Sequence, residues 1–317
     1  MTDKFDANVG LYLLILLLFL LILIPFIAPR FYLDLVTQIL IFCLFSVAYN
    51  ICMGNGGMLS LGHGAFYGIG AYTFALLLKK TGAPLTVAFL AAPVVSGVFG
   101  IIIGFFLVRV GFWYFATLTI AFGQLIWVIC YKWYGLTGGS NGIIGLPLSS
   151  FIMSKTNFYF LTLVIVFISV ITIKRIMNSP FGIMLRSIRD NAERATFVGI
   201  NVPRHRQFAF TLSAFFSGIA GALTTVFHRG VFPEYVAVEK GIEPLLSSLL
   251  GGMHVFFGPI LGSALMLSLD NYVTNYTKYW QLVMGVLLLI LVLFFPDGVL
   301  GYLKEKKWKE ILHRWRA

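Results

Sequence analysis

Long runs of apolar residues extend over most of the chain and are separated by short polar or glycine-rich stretches. A membrane-spanning helix needs about 20 apolar residues, within a range of about 17–25. Runs near this length predict spans at about 9–29, 35–53, 62–78, 84–108, 112–133, 157–174, 207–228, 258–273 and 279–296. The stretch at 243–256 is shorter and contains Gly251-Gly252. We expect it to cross as a broken helix, which brings the total to about ten crossings.

The composition excludes a water-soluble enzyme and a disordered chain. Hydrophobic residues make up 59% of the 317 residues and charged residues 11%, and the mean hydropathy is +0.91. A soluble domain is typically about 45–50% apolar and about 25% charged. So few charges cannot cover the surface of a soluble protein of this size. The sequence therefore predicts an all-α, polytopic membrane protein that forms one transmembrane domain over residues 1–317.

The positive charge is concentrated in two segments. Within a net charge of +11, the segment from Lys174 to Arg206 has seven basic and two acidic residues, and the tail at 302–317 has six and two. A basic excess in short segments beside membrane spans marks the cytoplasmic side and does not indicate nucleic-acid binding. An even number of crossings places both segments, and both termini, in the cytoplasm. It also places Lys79-Lys80 outside, which counts against the assignment.

A first glycine-rich stretch interrupts the apolar pattern between Gly54 and Tyr72. Seven glycines lie between Gly54 and Gly70, and each costs a helix about 1 kcal/mol relative to alanine. Backbone groups freed by a broken helix must be satisfied by protein or by a water-lined cavity. We therefore expect a helix break that faces the interior of the bundle.

Two further stretches are interrupted in a similar way. Gly251-Gly252-Met253 repeats the triplet at 56–58, and a histidine and a small-residue helix follow each triplet. This is either a chance match or an internal repeat whose paired broken helices line a transport pathway. The loop at 136–147 contains four glycines with Thr137, Ser140 and Asn141. It is either a tight external turn, or a segment that gates the external mouth or receives a partner.

Ionisable residues are scarce inside the predicted spans. Glu243 and Asp270 fall at predicted span ends, and no zinc-protease, paired-carboxylate or Ser/His/Asp pattern is present. The three cysteines lie inside apolar runs with no CxxC or Cys/His spacing, which predicts no metal site. These observations disfavour a membrane enzyme and a proton- or sodium-driven carrier. His63 is either a hydrogen-bonded packing residue or part of the substrate path. The candidate pathway residues are Asn55, Ser60, His63, Gln124, Ser140 and Asn141.

The basic loop at about 175–206 predicts a short amphipathic helix. Ser179-Pro180 is a favourable helix start, apolar residues follow at helical spacing, and Gly199 supplies a stop. We expect ion pairs between Arg186 and Asp190 and between Arg189 and Glu193, each worth about 0.2–0.5 kcal/mol. The helix either lies on the membrane surface or docks a cytoplasmic subunit.

Several spaced segments resemble the permeases of branched-chain amino acid ABC importers of the LivM type. They are LSLGHGAFYGIGAY at 59–72, LTGGSNGIIGLP at 136–147, and SPFG, RSIRDN and GIN at 179–182, 186–191 and 199–201. The stretches at 251–262 and 295–298 fit the same pattern, so the resemblance covers about 32–301. One departure is Met58, where many relatives have glutamine before the Leu-Ser-Leu-Gly-His run.

The resemblance implies a non-catalytic permease in a prokaryotic cytoplasmic (inner) membrane. Its implied partners are a second, LivH-type permease, two cytoplasmic ATP-binding subunits and an extracytoplasmic solute-binding protein. The chain itself would hold no cofactor, since the partners use the ATP. A urea or short-chain amide importer, a stand-alone carrier and a membrane transferase remain alternatives. The residues expected to couple the permease to its ATPases are Ser179, Pro180, Gly182, Arg186, Arg189, Asp190, Glu193 and Gly199.

Overall fold

The computed structural model describes residues 20–27, 29–274 and 298–301, and single residues between 279 and 289. Most of the predicted spans at 9–29 and 279–296, and the whole tail at 302–317, lie outside the described residues. Residues 20–27 are helical. The helices that follow are α1 (Arg30–Asn50), α2 (Gly64–Lys80), α3 (Leu85–Leu107), α4 (Phe112–Lys132), α5 (Tyr134–Thr137), α6 (Ser150–Met153), α7 (Lys155–Asn178), α8 (Pro180–Asp190), α9 (Ala192–Phe197), α10 (Val202–His228), α11 (Val238–Gly251) and α12 (Gly258–Thr274).

Five of the described helices are long and apolar enough to cross a membrane. They are α1 with its continuation to Asn55, α3, α4, α7 and α10. Helices α2 and α12 have 17 residues each and α11 has 14. The 17 residues of α2 and of the described part of α12 are at the lower limit for a membrane span, and the 14 residues of α11 are below it. The helical, polytopic prediction is confirmed, whereas the count of about ten crossings is not.

Helix α10 forms the centre of the bundle and packs against α1, α2 and α3. Small residues allow the close approach of these helices. A Cβ placed on Gly218 of α10 would lie 2.6 Å from the Cβ of Ser96 on α3. The Ser96 hydroxyl also contacts the carbonyl oxygens of Ala214, at 2.7 Å, and Phe66, at 2.9 Å. One polar side chain therefore connects α3 with both α2 and α10.

The bundle has two distinct ends. Helix α9 precedes α10, and the strand β2 (Gly230–Val231) follows it at the other end. Strand β2 pairs antiparallel with β1 (Ile143–Ile144). We call the end with α8 and α9 the basic end and the end with the β1–β2 pair the far end. The ammonium groups of Lys79 and Lys80 donate to backbone carbonyls of the 135–144 region, which places these lysines at the far end.

Helices α11 and α12 form an antiparallel hairpin that turns at the basic end. A Cβ on Gly251 would contact the backbone of Gly258, and a Cβ on Gly262 would contact the backbone of Ser247. Gly252 adopts a φ of +106°, a conformation that favours glycine, just before the turn at 252–257. The stretch predicted to cross as a broken helix at 243–256 forms a helix with other bounds, which begins at Val238 and ends at Gly251, where the chain reverses.

Candidate functional site

The first predicted helix break is present and lies inside the bundle. Helix α1 widens into a π-helical turn at Ile51–Asn55, the chain then leaves helical geometry, and α2 begins at Gly64. Gly57 has a φ of +63°. The backbone N–H of Leu61 donates to the Thr119 hydroxyl of α4 at 3.1 Å. A neighbouring helix thereby satisfies a backbone donor that the break has freed.

Glycines let the break lie directly against the backbones of two other helices. A Cβ on Gly64 would lie 2.8 Å from the Ala237 carbonyl oxygen and 2.9 Å from the Gly241 nitrogen at the start of α11. A Cβ on Gly62 would overlap the Thr119 carbonyl group of α4. The break is therefore enclosed by α4 on one side and by α11 on the other.

His63 connects the break to α1 and α10. Its side chain is fully buried, with Nδ1 3.2 Å from the Ser60 hydroxyl and Nε2 2.8 Å from the Ser213 hydroxyl. Ser213 donates its own hydrogen to the Ala48 carbonyl oxygen at 2.6 Å, so it accepts from His63. We infer from this count of donors that Nε2 carries the proton and that Ser60 donates to Nδ1. Both ring nitrogens are thus bonded within the protein.

The candidate pathway residues do not form one site. Ser60 and His63 are buried inside the bundle, while Asn55 lies at the basic end, where its amide donates to the Asn50 carbonyl oxygen at 3.2 Å. Gln124 is exposed on α4. Ser140 and Asn141 are exposed in the short turn Gly139–Asn141 at the far end. The structure therefore spreads these residues along the length of the bundle.

The basic loop forms two helices where the sequence predicts one. Asn191 adopts extended backbone angles, and its side chain accepts from the N–H of Arg194 at 2.9 Å, which caps α9. This capping bond competes with continuation of α8, so the predicted continuous helix is wrong. Gly199 follows α9 with a φ of +86°.

The predicted ion pairs of this loop also differ. Arg189 pairs with Asp190 at 2.8 Å, whereas Arg186 donates to the Met177 carbonyl oxygen at 2.9 Å. The kink at Asn191 puts Glu193 on α9, and Arg189 does not pair with it among the described contacts. Ser179 does not cap α8 with its side chain and instead donates to the Ile176 carbonyl oxygen at 2.7 Å. Pro180 does begin α8.

Helix α8 is attached to both helix breaks. Gly182 lies against the Met177 backbone, where a Cβ would not fit. Arg189 donates from Nη1 to the Gly54 carbonyl oxygen at 2.6 Å, and the same nitrogen lies 3.3 Å from Nδ1 of His254. Arg186 lies 3.4 Å from the Asn55 amide oxygen. A cation favours the end of a helix where carbonyl groups are unpaired, and the π-helical turn ends here.

The two breaks also contact each other. A Cβ on Gly54 would overlap the Met253 carbonyl oxygen, so the two backbones touch. The repeated Gly-Gly-Met triplets at 56–58 and 251–253 thus lie at the same end of the bundle, next to Arg189. In the sequence, the contact between the two breaks is indicated by the similarity of the two triplets.

Sequence reasoning missed a charged cluster on α11 and α12. Lys240 pairs with Glu243 one helical turn later, and Asp270 is the electrostatic neighbour of both residues. Glu243 lies within α11, whereas the sequence predicts it at the start of an apolar stretch. The two residues are three positions apart in an apolar region, which indicates an ion pair within a helix. An average of hydropathy over the region conceals these two charges.

Sequence reasoning also missed an apolar tip on the basic loop. Phe197 is 90% exposed and Val198 is 77% exposed. Within the part of the chain that the structure describes, no group of three His, Cys, Asp or Glu residues is arranged to hold a metal.

Comparison with known proteins assigns the chain to a class. A family model described as branched-chain amino acid transport system / permease component matches residues 31–293. The chain is 29% identical to the high-affinity branched-chain amino acid transport system permease protein LivM of Escherichia coli, over 90% of this chain and 74% of the relative. It is also 29% identical to LivM of Salmonella typhimurium, over 87% and 71%. Identity to the E. coli permease protein LivH is 25%, over 82% and 91%. No solved structure matches.

Proposed function

The chain belongs to the branched-chain amino acid transport permease family, and on that basis we propose that it is the transmembrane subunit of an ATP-driven importer. In this proposal it forms part of the translocation path for branched-chain amino acids that a solute-binding protein delivers. It works beside a LivH-type permease and two cytoplasmic ATP-binding subunits, in a prokaryotic inner membrane. The basic end and both termini face the cytoplasm, as the positive charge favours.

The contact of Arg189 with both helix breaks is the observation that carries this proposal. An importer without its own energy source needs a segment that transmits movement of the ATPases to the membrane helices. Helix α8 lies at the basic end, and its Arg189 reaches the Gly54 carbonyl oxygen and the ring of His254. Displacement of α8 therefore acts on both breaks together.

ATP binding and hydrolysis would shift the population between inward-open and outward-open states by rigid-body movement. In this mechanism Ser179 and Pro180 set the start of α8, and Gly182 keeps it close to the end of α7. Arg186 and Arg189 attach it to the breaks. Asp190, Glu193 and Gly199 complete the coupling surface, with Asp190 holding the guanidinium of Arg189.

The proposed pathway follows the breaks through the bundle. Ser60 and His63 fix the shape of the first break by hydrogen bonding, and Asn55 lies at its cytoplasmic end. Gln124 lies on the exposed face of α4, which a second permease subunit would cover. Ser140 and Asn141 lie at the external mouth.

The test is uptake by the assembled transporter in vesicles. We expect labelled leucine to accumulate only with the binding protein and active ATPases present, and we expect labelled urea not to accumulate. Accumulation of urea instead of leucine would show that the transporter imports urea and not branched-chain amino acids. Concentrative uptake by this polypeptide alone would overturn the proposal in favour of a stand-alone carrier.

A further inference from the structure

A cluster of opposite charges lies where α11 and α12 pack against α1 and α2. Lys240 and Glu243 form an ion pair on α11. The Lys240 ammonium lies 5.4 Å from the ring centroid of Phe42 on α1 and 5.7 Å from that of Tyr67 on α2. Asp270 of α12 is the electrostatic neighbour of both members of the pair. Two charged groups and two rings therefore meet at one place in the bundle, and the register of the hairpin, in which Ser247 faces Gly262, brings Asp270 of α12 to the level of Lys240.

This place is level with the middle of a candidate membrane span. Phe42 lies halfway along the span Arg30–Asn55, which has 26 residues. Farther along α11, Ser247 donates to the Ser46 hydroxyl at 2.7 Å, so α11 continues beside α1 towards the basic end. Lys240, which lies over the Phe42 ring, is consequently at mid-depth and not at the headgroup layer.

The charged groups at this depth remain partly accessible. The Lys240 side chain is 25% exposed and the Glu243 side chain is 35% exposed. Charged side chains at mid-depth are costly in lipid and almost always face the bundle interior or a water-filled cavity. The exposed side of the cluster therefore borders the aqueous path or the partner permease.

The charge balance of the cluster is incomplete. Lys240 is one cation between two carboxylates, and Glu243 takes its ion pair. Among the described residues, the hydrogen bond to the Asp270 carboxylate comes from the Thr274 hydroxyl at 3.5 Å, which is a weak, neutral donor. Among the described residues, the cluster thus holds two carboxylates and one ammonium group, and a ligand that carries both charges can pair with groups of both signs.

We propose that Lys240, Glu243 and Asp270 form a binding site for the charged groups of a free amino acid during translocation. The site rests on the proposed function and specifies its substrate class. Glu243 and Asp270 take the ammonium group of the substrate, and Lys240 takes its carboxylate. A path built for urea, which carries no charge, gains nothing from three ionisable groups at mid-depth.

The first experiment measures leucine uptake by the assembled transporter with Lys240→Gln or Glu243→Gln. We expect uptake to fall by about tenfold or more, corresponding to about 1.4 kcal/mol, while subunit assembly and the stimulation of ATP hydrolysis by the binding protein persist. The matched control is Lys155→Gln with Asp34→Asn, which removes an ion pair of the same type between the starts of α7 and α1. Unchanged uptake in both cluster variants would overturn the site.

A second measurement remains informative if these variants do not assemble. Glu243→Cys is treated with a water-soluble, ammonium-bearing thiosulfonate reagent in the assembled complex, with the wild-type chain as background because its Cys43, Cys52 and Cys130 are buried. We expect labelling of the variant, and slower labelling when the binding protein delivers leucine. No labelling, or labelling that leucine does not slow, would overturn the site. If the assembled wild-type transporter takes up no leucine, the proposed function is overturned instead.

Discussion

Arg189 donates a hydrogen bond of 2.6 Å from Nη1 to the carbonyl oxygen of Gly54, more than a hundred residues earlier in the chain. The same guanidinium pairs with Asp190 and contacts the ring of His254. A single side chain on the basic loop therefore holds the ends of two interrupted helices in a fixed relation.

Replacing Arg189 should separate ATP hydrolysis from transport. In Arg189→Gln we expect leucine uptake to fall by about tenfold, since a hydrogen bond from a charged group contributes about 1.5–3 kcal/mol. ATP hydrolysis by the assembled complex should continue, and the ratio of leucine imported to ATP hydrolysed measures the loss. Arg204→Gln is the control, because Arg204 is an exposed arginine in the same basic segment. Equal loss in both variants would contradict a specific role for Arg189.

Phe197 should anchor the cytoplasmic subunits. Aromatic residues dominate many interfaces, and truncating such an anchor costs about 2 kcal/mol or more. We expect Phe197→Ala to weaken the binding of the ATP-binding subunits to the solubilised permeases by roughly thirtyfold, measured by surface-based binding. Phe31→Ala removes a 56% exposed ring at the opposite end of the bundle and should change nothing. Unaltered binding in Phe197→Ala would show that the apolar tip serves another purpose.

His63 should be required for the shape of the first break. His63→Leu leaves Ser60 and Ser213 without their partner, and a buried polar group without a hydrogen bond costs about 1–3 kcal/mol. We expect a lower midpoint of thermal unfolding and reduced leucine uptake per assembled complex. Thr117→Val is a control, since the Thr117 hydroxyl bonds only within α4 at an exposed position. If His63→Leu has the uptake and stability of the wild-type protein, His63 is not required for the first break.

Gly64 should not tolerate a methyl group. A Cβ there would lie 2.8 Å from the Ala237 carbonyl oxygen, and overpacking a filled site costs about 1–3 kcal/mol. We expect Gly64→Ala to lower the free energy of unfolding by this amount. Gly135→Ala, where a Cβ meets no atom within 4 Å, should have no such effect. The comparison is made by thermal unfolding of the purified protein in detergent, and equal midpoints would refute the close contact with α11.

The sequence predicts the features that depend on neighbouring residues. The glycine density between Gly54 and Gly70 is enough to predict the first break, and Ser179-Pro180 is enough to place the start of α8. The kink at Asn191 was missed because helical spacing of apolar residues continues through it. There the side chain of Asn191 bonds the backbone of Arg194 and ends the helix.

Features that depend on distant residues were not predictable in this way. Lys240, Glu243 and Asp270 come from two helices, and they meet only because the chain reverses at 252–257. A hydropathy window places the first helix of the hairpin at 243–256, whereas the structure has it at Val238–Gly251. Contact between Gly54 and Met253 depends on the same reversal.

Gly54 has no side chain, and for that reason its backbone lies directly against the backbone of Met253. A Cβ on Gly54 would overlap both the Met253 carbonyl oxygen and the amide oxygen of Asn50. Because packed protein has low compressibility, a shift of either strand of backbone is passed on undiminished to the other. The contact between Gly54 and Met253 is therefore a stiff one.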